Sequence, residues 1–199
     1  MKQAQVSRTV YRFEELSPSA QDRALEVLRE QAWECLDSDM ISEDVAFMFA
    51  ITANNKWDNG VLSAKELKDR FGVRLYWDVS YSQSDNGQID GYLDRDICPD
   101  LAWPNDVRAI RARSNNFYGS TVVDVFVGDD YDYAREQADW DAARDMIANL
   151  NGDIYDWARK ACETYTSAEY VIDQYQDSGL PYQFDEDGNH APMIFWEGE

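Results

Sequence analysis

The stretch "VRLYWDVSYS", residues 73–82, decides the fold. Val73, Leu75, Trp77, Val79 and Tyr81 alternate with Arg74, Tyr76, Asp78 and Ser80, which is the two-residue period of a strand with one face turned to a core. The alternation resumes over 88–94 with Ile89, Gly91 and Leu93, so "SDNG" at 84–87 falls where a hairpin connection belongs. Two further runs, "RAIRARSN" at 108–115 and "STVVDVFVG" at 120–128, read as a second antiparallel pair. Together they predict a meander of about four strands.

Around this sheet the period changes to that of helices. "LSPSAQDRALEVLREQAWECL" starts with Ser17 as N-cap and Pro18 in the first helical position, and Ala24, Leu25, Leu28, Ala32, Trp33 and Leu36 recur at helical spacing, which predicts a helix over 18–36. A second helix is expected after Ser42, carrying Val45, Phe47, Met48, Phe49 and Ile51. Ser63 and Glu66 form a capping box that opens a short helix ended by Gly72. From Trp140 to Tyr165 apolar residues recur every three or four positions, with Asp141, Asp145, Asp156 and Glu163 on the other side, and Gly152 marks a point where this helix kinks or divides. Ser167 caps a last helix ended by Gly179, and Gly188 sits in a closing turn. A short strand at 5–13 completes the pattern. The expectation is an α+β fold, an antiparallel sheet packed against several helices, as a single domain over 1–199.

The chain carries 18 Lys and Arg against 39 Asp and Glu, a formal net charge of −21. Such a surface repels nucleic acid and anionic lipid, because phosphate binding needs clustered cations. Residues 124–199 hold 19 of the acids and 4 of the bases. With 44% hydrophobic residues, the chain is too apolar to remain disordered at that charge. Cys35, Cys98 and Cys162 are odd in number and widely spaced, and read as three buried free thiols. No apolar run reaches the roughly 18 residues of a membrane span, and the N-terminus lacks an apolar signal core, so a cytoplasmic protein is expected.

Catalytic chemistry is thinly supplied. The single histidine, His190, leaves Ser-His-Asp, Cys-His and multi-histidine zinc sites without their parts and reads as an exposed turn residue. Phosphate-binding glycine motifs do not occur. Asp58, Glu66 and Lys68 offer the groups of a magnesium-dependent nuclease, but the capping box already employs Glu66. A calcium loop counted from Asp185 places His190 and Trp196 where glycine and an acid belong, and one counted from Asp85 places Gly87 and Asp90 at positions 3 and 6. Neither fits, and no cofactor or metal is expected. The remaining candidate surface is the row Asp129, Asp130, Asp132, Glu136, Asp139 and Asp141, interleaved with Tyr131 and Tyr133, which as an exposed face would suit a cationic partner.

Several stretches resemble small, uncharacterised proteins encoded by bacteriophages and prophages. They are "YRFEELSPSAQDRALEVLRE" near the start, "SYSQSDNGQIDG" in the centre and "ETYTSAEYVIDQYQDSGLPYQFDEDG" near the end. The central stretch is similar to a pattern S-Q-G-D-G-x-x-F-x-G, matched at Ser82, Gln83, Asp85 and Gly91, with Ile89 at the aromatic position and Ser84 and Asn86 replacing two glycines. The resemblance implies a phage gene product acting in bacterial cytoplasm, and it carries no catalytic residue. The combined expectation is a non-enzymatic anti-defence or host-takeover protein. It would bind and block a bacterial DNA-handling protein, such as a CRISPR, restriction or other nuclease complex, as a mimic of DNA. The polar hairpin edge at Ser82, Gln83 and Asp85 would offer a second contact, and a homodimer is compatible with this reading. The rivals are a small hydrolytic or metal-binding enzyme using Asp85, Asp90, Asp94 and Asp96, and a virion or assembly component.

Overall fold

The computed structural model describes residues 9–53, 56–57, 60–61, 63–80, 85–105, 107–115, 120–127, 133–177 and 184–190. In chain order its elements are a 3-10 turn at Phe13–Glu15, α1 (Pro18–Glu34), α2 (Ser38–Thr52), β1 (Lys56–Trp57), β2 (Gly60–Val61), α3 (Ala64–Phe71), β3 (Arg74–Asp78), β4 (Asn86–Asp94), β5 (Val107–Asn115), β6 (Ser120–Val127), α4 (Tyr133–Tyr165) and α5 (Ala168–Asp177). The fold is α+β: among the described residues a four-stranded antiparallel sheet has the order β3-β4-β5-β6, with five α-helices. The chain forms two compact units, Met1–Leu36 with Glu163–Glu199, and Asp37–Cys162.

The first unit is built on α1 and α5. Ser17 accepts the amide of Ala20, and Ala20, Ala24 and Leu28, spaced one turn apart, are buried with Val171 and Tyr175. Phe184 completes this core, ringed by Phe13, Tyr175 and His190 at centroid distances of 6.4, 6.0 and 6.3 Å. Burial pushes the Tyr175 phenol above the ordinary tyrosine range. His190 is therefore half-buried against an aromatic ring, where an exposed turn residue was expected. Of the strand expected at 5–13, the described residues 9–13 make one bridge, Tyr11 to Phe184, and residues 5–8 lie outside the described part. The reason is local: the Glu15 carboxylate accepts the Arg12 amide at 2.9 Å and turns the chain straight toward α1.

In the second unit the sheet has the predicted meander. β3 pairs with β4 from Arg74↔Asp90 to Asp78↔Asn86, and β5 with β6 from Val107↔Val127 to Asn115↔Ser120. Asn86 and Gly87, expected in the hairpin connection, belong to β4 instead. Helix α2 begins a turn earlier than expected, because Asp37 rather than Ser42 caps it, accepting the amide of Asp39 at 2.8 Å. Ser42 lies inside the helix, donates to the Ser38 carbonyl and accepts the Trp77 indole N–H at 3.2 Å. The capping box of α3 forms as read, and Gly72 closes the helix in the left-handed conformation. Hydrogen bonds from the Ser63 amide and hydroxyl hold the Glu66 carboxyl below its usual range.

Helix α4 runs unbroken through Gly152, which faces open space, while Leu150 and Ile154 on either side of it stay buried. It lies against one face of the sheet, where Ile89, Leu93, Ile110, Ala112 and Val123 are buried. The approach is backbone to backbone: a Cβ built on Gly87 would stand 2.4 Å from both the Asn151 carbonyl oxygen and the Tyr155 nitrogen. At that point Asn151 accepts the Ile89 amide at 3.0 Å and donates to the Thr121 hydroxyl at 2.8 Å, tying β4 to β6 through one side chain. Trp140 adds a hydrogen bond to the Val123 carbonyl at 3.1 Å. Cys98 and Cys162 are buried as expected, but Cys35, at the C-terminal cap of α1, is exposed. Among the described residues no helix is long and apolar enough to cross a membrane.

Candidate interaction surfaces

Among the described residues the sheet's other face is exposed around Tyr92, Val122 and Phe126, while Gln88 on the same side of β4 is buried. Side chains alternate across a strand, so once Ile89 and Leu93 point toward α4, Tyr92 must point away, and its cross-strand neighbours follow. Tyr92 stands opposite Arg111, and Arg111 opposite Asp124, forming one row across three strands. The Arg111 guanidinium lies 5.1 Å from the Tyr92 ring centroid and donates to its hydroxyl at 3.1 Å. Phe126 meets the Tyr92 ring at 5.7 Å, and Arg113 pairs with Asp124 at 3.6 Å. Tyr92 is 45% exposed, Phe126 44% and Val122 54%. A solvated face of an antiparallel sheet is ordinarily polar. Here the Tyr92 and Phe126 rings meet and the Arg111 guanidinium stands over Tyr92, and tyrosine and arginine are residue types that dominate binding energy at protein interfaces.

A groove of about 760 Å³ lies in the same unit where α2 and α3 approach β3. Glu43 fastens the two helices by accepting the Ala64 amide at 3.1 Å. Trp77, held by Ser42, forms part of the floor, and charges of both signs stand around the rim.

Most of the acidic row lies outside the described residues. Asp129, Asp130, Tyr131 and Asp132 lie outside the described residues, and Tyr133 and Glu136 enter only as backbone of the first turns of α4. Asp139 is 8% exposed, so it belongs to the packed side of the helix, while Asp141 is exposed and accepts from Gln137 at 3.1 Å. Farther along, Asp145, Asp153 and Asp156 are exposed, with Arg144, Arg159 and Lys160 exposed among them. From Asp141 to Asp156 the helix rises about 22 Å, a length over which duplex DNA carries about 13 charges. Over this part of α4 the exposed charges are four carboxylates interspersed with cations.

The hairpin residues Ser82 and Gln83 lie outside the described part. Asp85 turns back on its own hairpin, accepting the Ser80 amide and hydroxyl at 3.0 Å each and facing the Tyr155 hydroxyl at 3.5 Å. The positions around it are also structural: Ile89 is fully buried, and Gly91 has φ +142° with the Gly72 carbonyl oxygen 2.7 Å from where a Cβ would stand. Asp85 just before β4, and Asp90 and Asp94 within it, span about 30 Å, too far for the three to share an ion. Among the described residues no three acidic, histidine or cysteine side chains gather as a metal-ligand group. Glu66 is engaged by Ser63, and Asp58 lies outside the described residues. The acidic C-terminal turn is likewise a staple: Asp185 accepts the amides of Asp187 and Asn189 at 3.1 and 2.9 Å, and Gly188, at φ +84°, abuts the Ala20 carbonyl.

No protein-family model, curated protein or solved structure matches the chain. The sheet face and the groove were missed by reasoning from single residues. Alternation placed Tyr92, Arg111 and Phe126 on outward positions, but their meeting depends on strand register.

Proposed function

We propose that this protein acts by binding another protein rather than by catalysis, and that the open face of the sheet is the contact surface. The observation that carries this reading is the exposed Tyr92–Arg111–Phe126 cluster, whose partners in the fold hold it rigid while leaving its apolar area in water. The target we infer is a DNA-handling protein of the bacterial cell, a CRISPR, restriction or other nuclease complex. The net charge of −21 supports it, since an acidic body is drawn to a cationic nucleic-acid-binding protein and raises the rate of encounter. The phage-like sequence resemblance supports the anti-defence setting. In this reading the acids steer and the sheet face holds.

The test is capture from host lysate by the tagged chain and by a Tyr92→Ala, Phe126→Ala double variant at about 0.15 M salt, with a second wash near 1 M, where the Debye length falls from about 8 to 3 Å. The expected result is one partner, displaced by duplex DNA, retained by the parent chain and lost by the double variant at unchanged thermal midpoint. A partner held equally by both proteins moves the contact off the sheet. One indifferent to duplex DNA removes the DNA-handling assignment.

A further inference from the structure

Helix α2 is apolar on two sides. Its inner side holds Val45, Ala46 and Phe49 wholly out of solvent. The outward face of a helix is ordinarily polar, yet Met40, Phe47 and Ile51 of α2 are 44%, 43% and 50% exposed. At about 100° per residue these three fall within about 40° of one another around the helix axis, and they extend over about 16 Å along it. They make one stripe on the side away from the buried residues, whereas the exposed apolar groups of an ordinary surface are scattered singly. The stripe shares no residue with the Tyr92 cluster. We propose that it docks a basic amphipathic helix of a partner protein.

Charge selects the occupant. Between Ser38 and Thr52 the helix carries Asp39, Glu43 and Asp44 and no Lys, Arg or His, and Asp37 caps it. The helix dipole accounts for Asp37 and Asp39 at the N-terminus. Glu43 and Asp44 stand a turn farther in, three or four residues from both Met40 and Phe47 and so next to them on the helix surface. On the Glu43 flank the charges are balanced, since Lys65, Lys68 and Arg74 line the neighbouring groove together with Asp39, Glu43 and Asp69. The other flank takes its charge from Asp37 and Asp44. A cation-bearing helix meets opposite charge along that flank, within the field of a chain of net charge −21.

The stripe also has the form of a helix contact. An amphipathic helix supplies apolar side chains every three or four residues, the spacing of Phe47 and Ile51, and flanks them with its own charges. Methionine, unbranched and adaptable, suits such a surface. A second copy of this chain fits less well, because its α2 brings no cation and two bodies of −21 repel each other. An anionic lipid surface is repelled for the same reason. Three half-exposed side chains offer on the order of 300 Å², below the roughly 800 Å² per partner of a stable interface, so the contact is weak and reversible.

The probe is an end-blocked, fluorescein-labelled peptide of about 18 residues, built from lysine, alanine and leucine with every leucine on one helical stripe, and measured by anisotropy against the full chain. Its control is an isomer of the same composition whose leucines are spread round the helix. The expected result is binding of the striped probe, weakened about tenfold in the isomer and about tenfold by a Met40→Gln, Phe47→Gln, Ile51→Gln variant of the protein. Because the three side chains are exposed, this variant should keep the parent's thermal midpoint. Amide shifts in the parent chain should concentrate in residues 37–52. Equal binding of the two peptides, or equal binding by the two proteins, overturns the proposal, since charge alone then explains the contact. No binding of the striped probe at about 1 mM, or a shift map centred elsewhere, does the same. So does a homodimer by sedimentation, or adsorption to phosphatidylglycerol vesicles, that the triple substitution abolishes, because either names a different occupant. The Tyr92→Ala, Phe126→Ala variant should bind the striped probe as the parent does, so the two proposals fail separately.

Discussion

The two faces of the four-stranded sheet use the same strands and opposite parity. On the inner face Gly87 lets the α4 backbone approach closely, and Asn151 accepts from Ile89 of β4 and donates to Thr121 of β6. On the outer face Tyr92 meets Phe126 and Arg111, and Tyr92, Phe126 and Val122 remain exposed. The contrast separates residues the fold depends on from residues it can spare. Three acidic stretches that resembled ligand loops in the sequence prove to work on the first side of this division, as caps and staples.

The largest effect should come from Gly87→Ala. The added carbon would meet two backbone atoms that no rotamer change can move, so α4 must back away from the sheet, and urea denaturation should show a loss of at least about 3 kcal/mol. A loss below 1 kcal/mol would mean that the inner face is less tightly closed than described. Next is Asn151→Ala, which leaves the Ile89 amide without its acceptor. It should lose about 1–3 kcal/mol with the same denaturation slope.

The Tyr92→Ala, Phe126→Ala pair should cost less than about 1 kcal/mol, because only an exposed cross-strand contact is removed. A cost comparable with Asn151→Ala would erase the distinction between the faces. The smallest effect concerns α3, away from both. The folded Glu66 carboxyl lies below its unfolded value of about 4.3, so its contribution is complete above that pH and is lost as pH falls through the lower folded value. Helical circular dichroism between pH 5 and 2 should show this titration, and Glu66→Gln should remove it.

Much of this fold could be read from local pattern. Period two marked β3 to β6, and helical spacing from Trp140 to Tyr165 marked the buried side of α4, because such periods report directly which side chains share a face. Ser17, Ser63 and Ser167 accept amides three residues ahead, as their positions indicated. Boundaries set by competing caps were less legible: Asp37 and Ser42 are both good cap residues, and only the place of Trp77 in the fold gives Ser42 another role. Gly152 looked like a break and is not one, since burial of the flanking turns outweighs a propensity cost of about 1 kcal/mol. Asp139 was indistinguishable in sequence from the exposed Asp141 two residues on; packing of the helix decided between them.

By itself, then, the amino-acid sequence determined the α+β class, the meander, the helix faces and a net charge of −21, all properties of neighbours along the chain or of composition. Tertiary structure alone decided that Gly87 and Gly91 are sites of close backbone approach, that Asp85 and Asp185 fold back on their own turns, and that Tyr92 meets Arg111 and Phe126. Among the described residues it also placed β3 at the end of the strand order, with a groove lined by α2, α3 and β3. The physical reason is that these depend on strand order and register between segments tens of residues apart, which local periodicity does not encode.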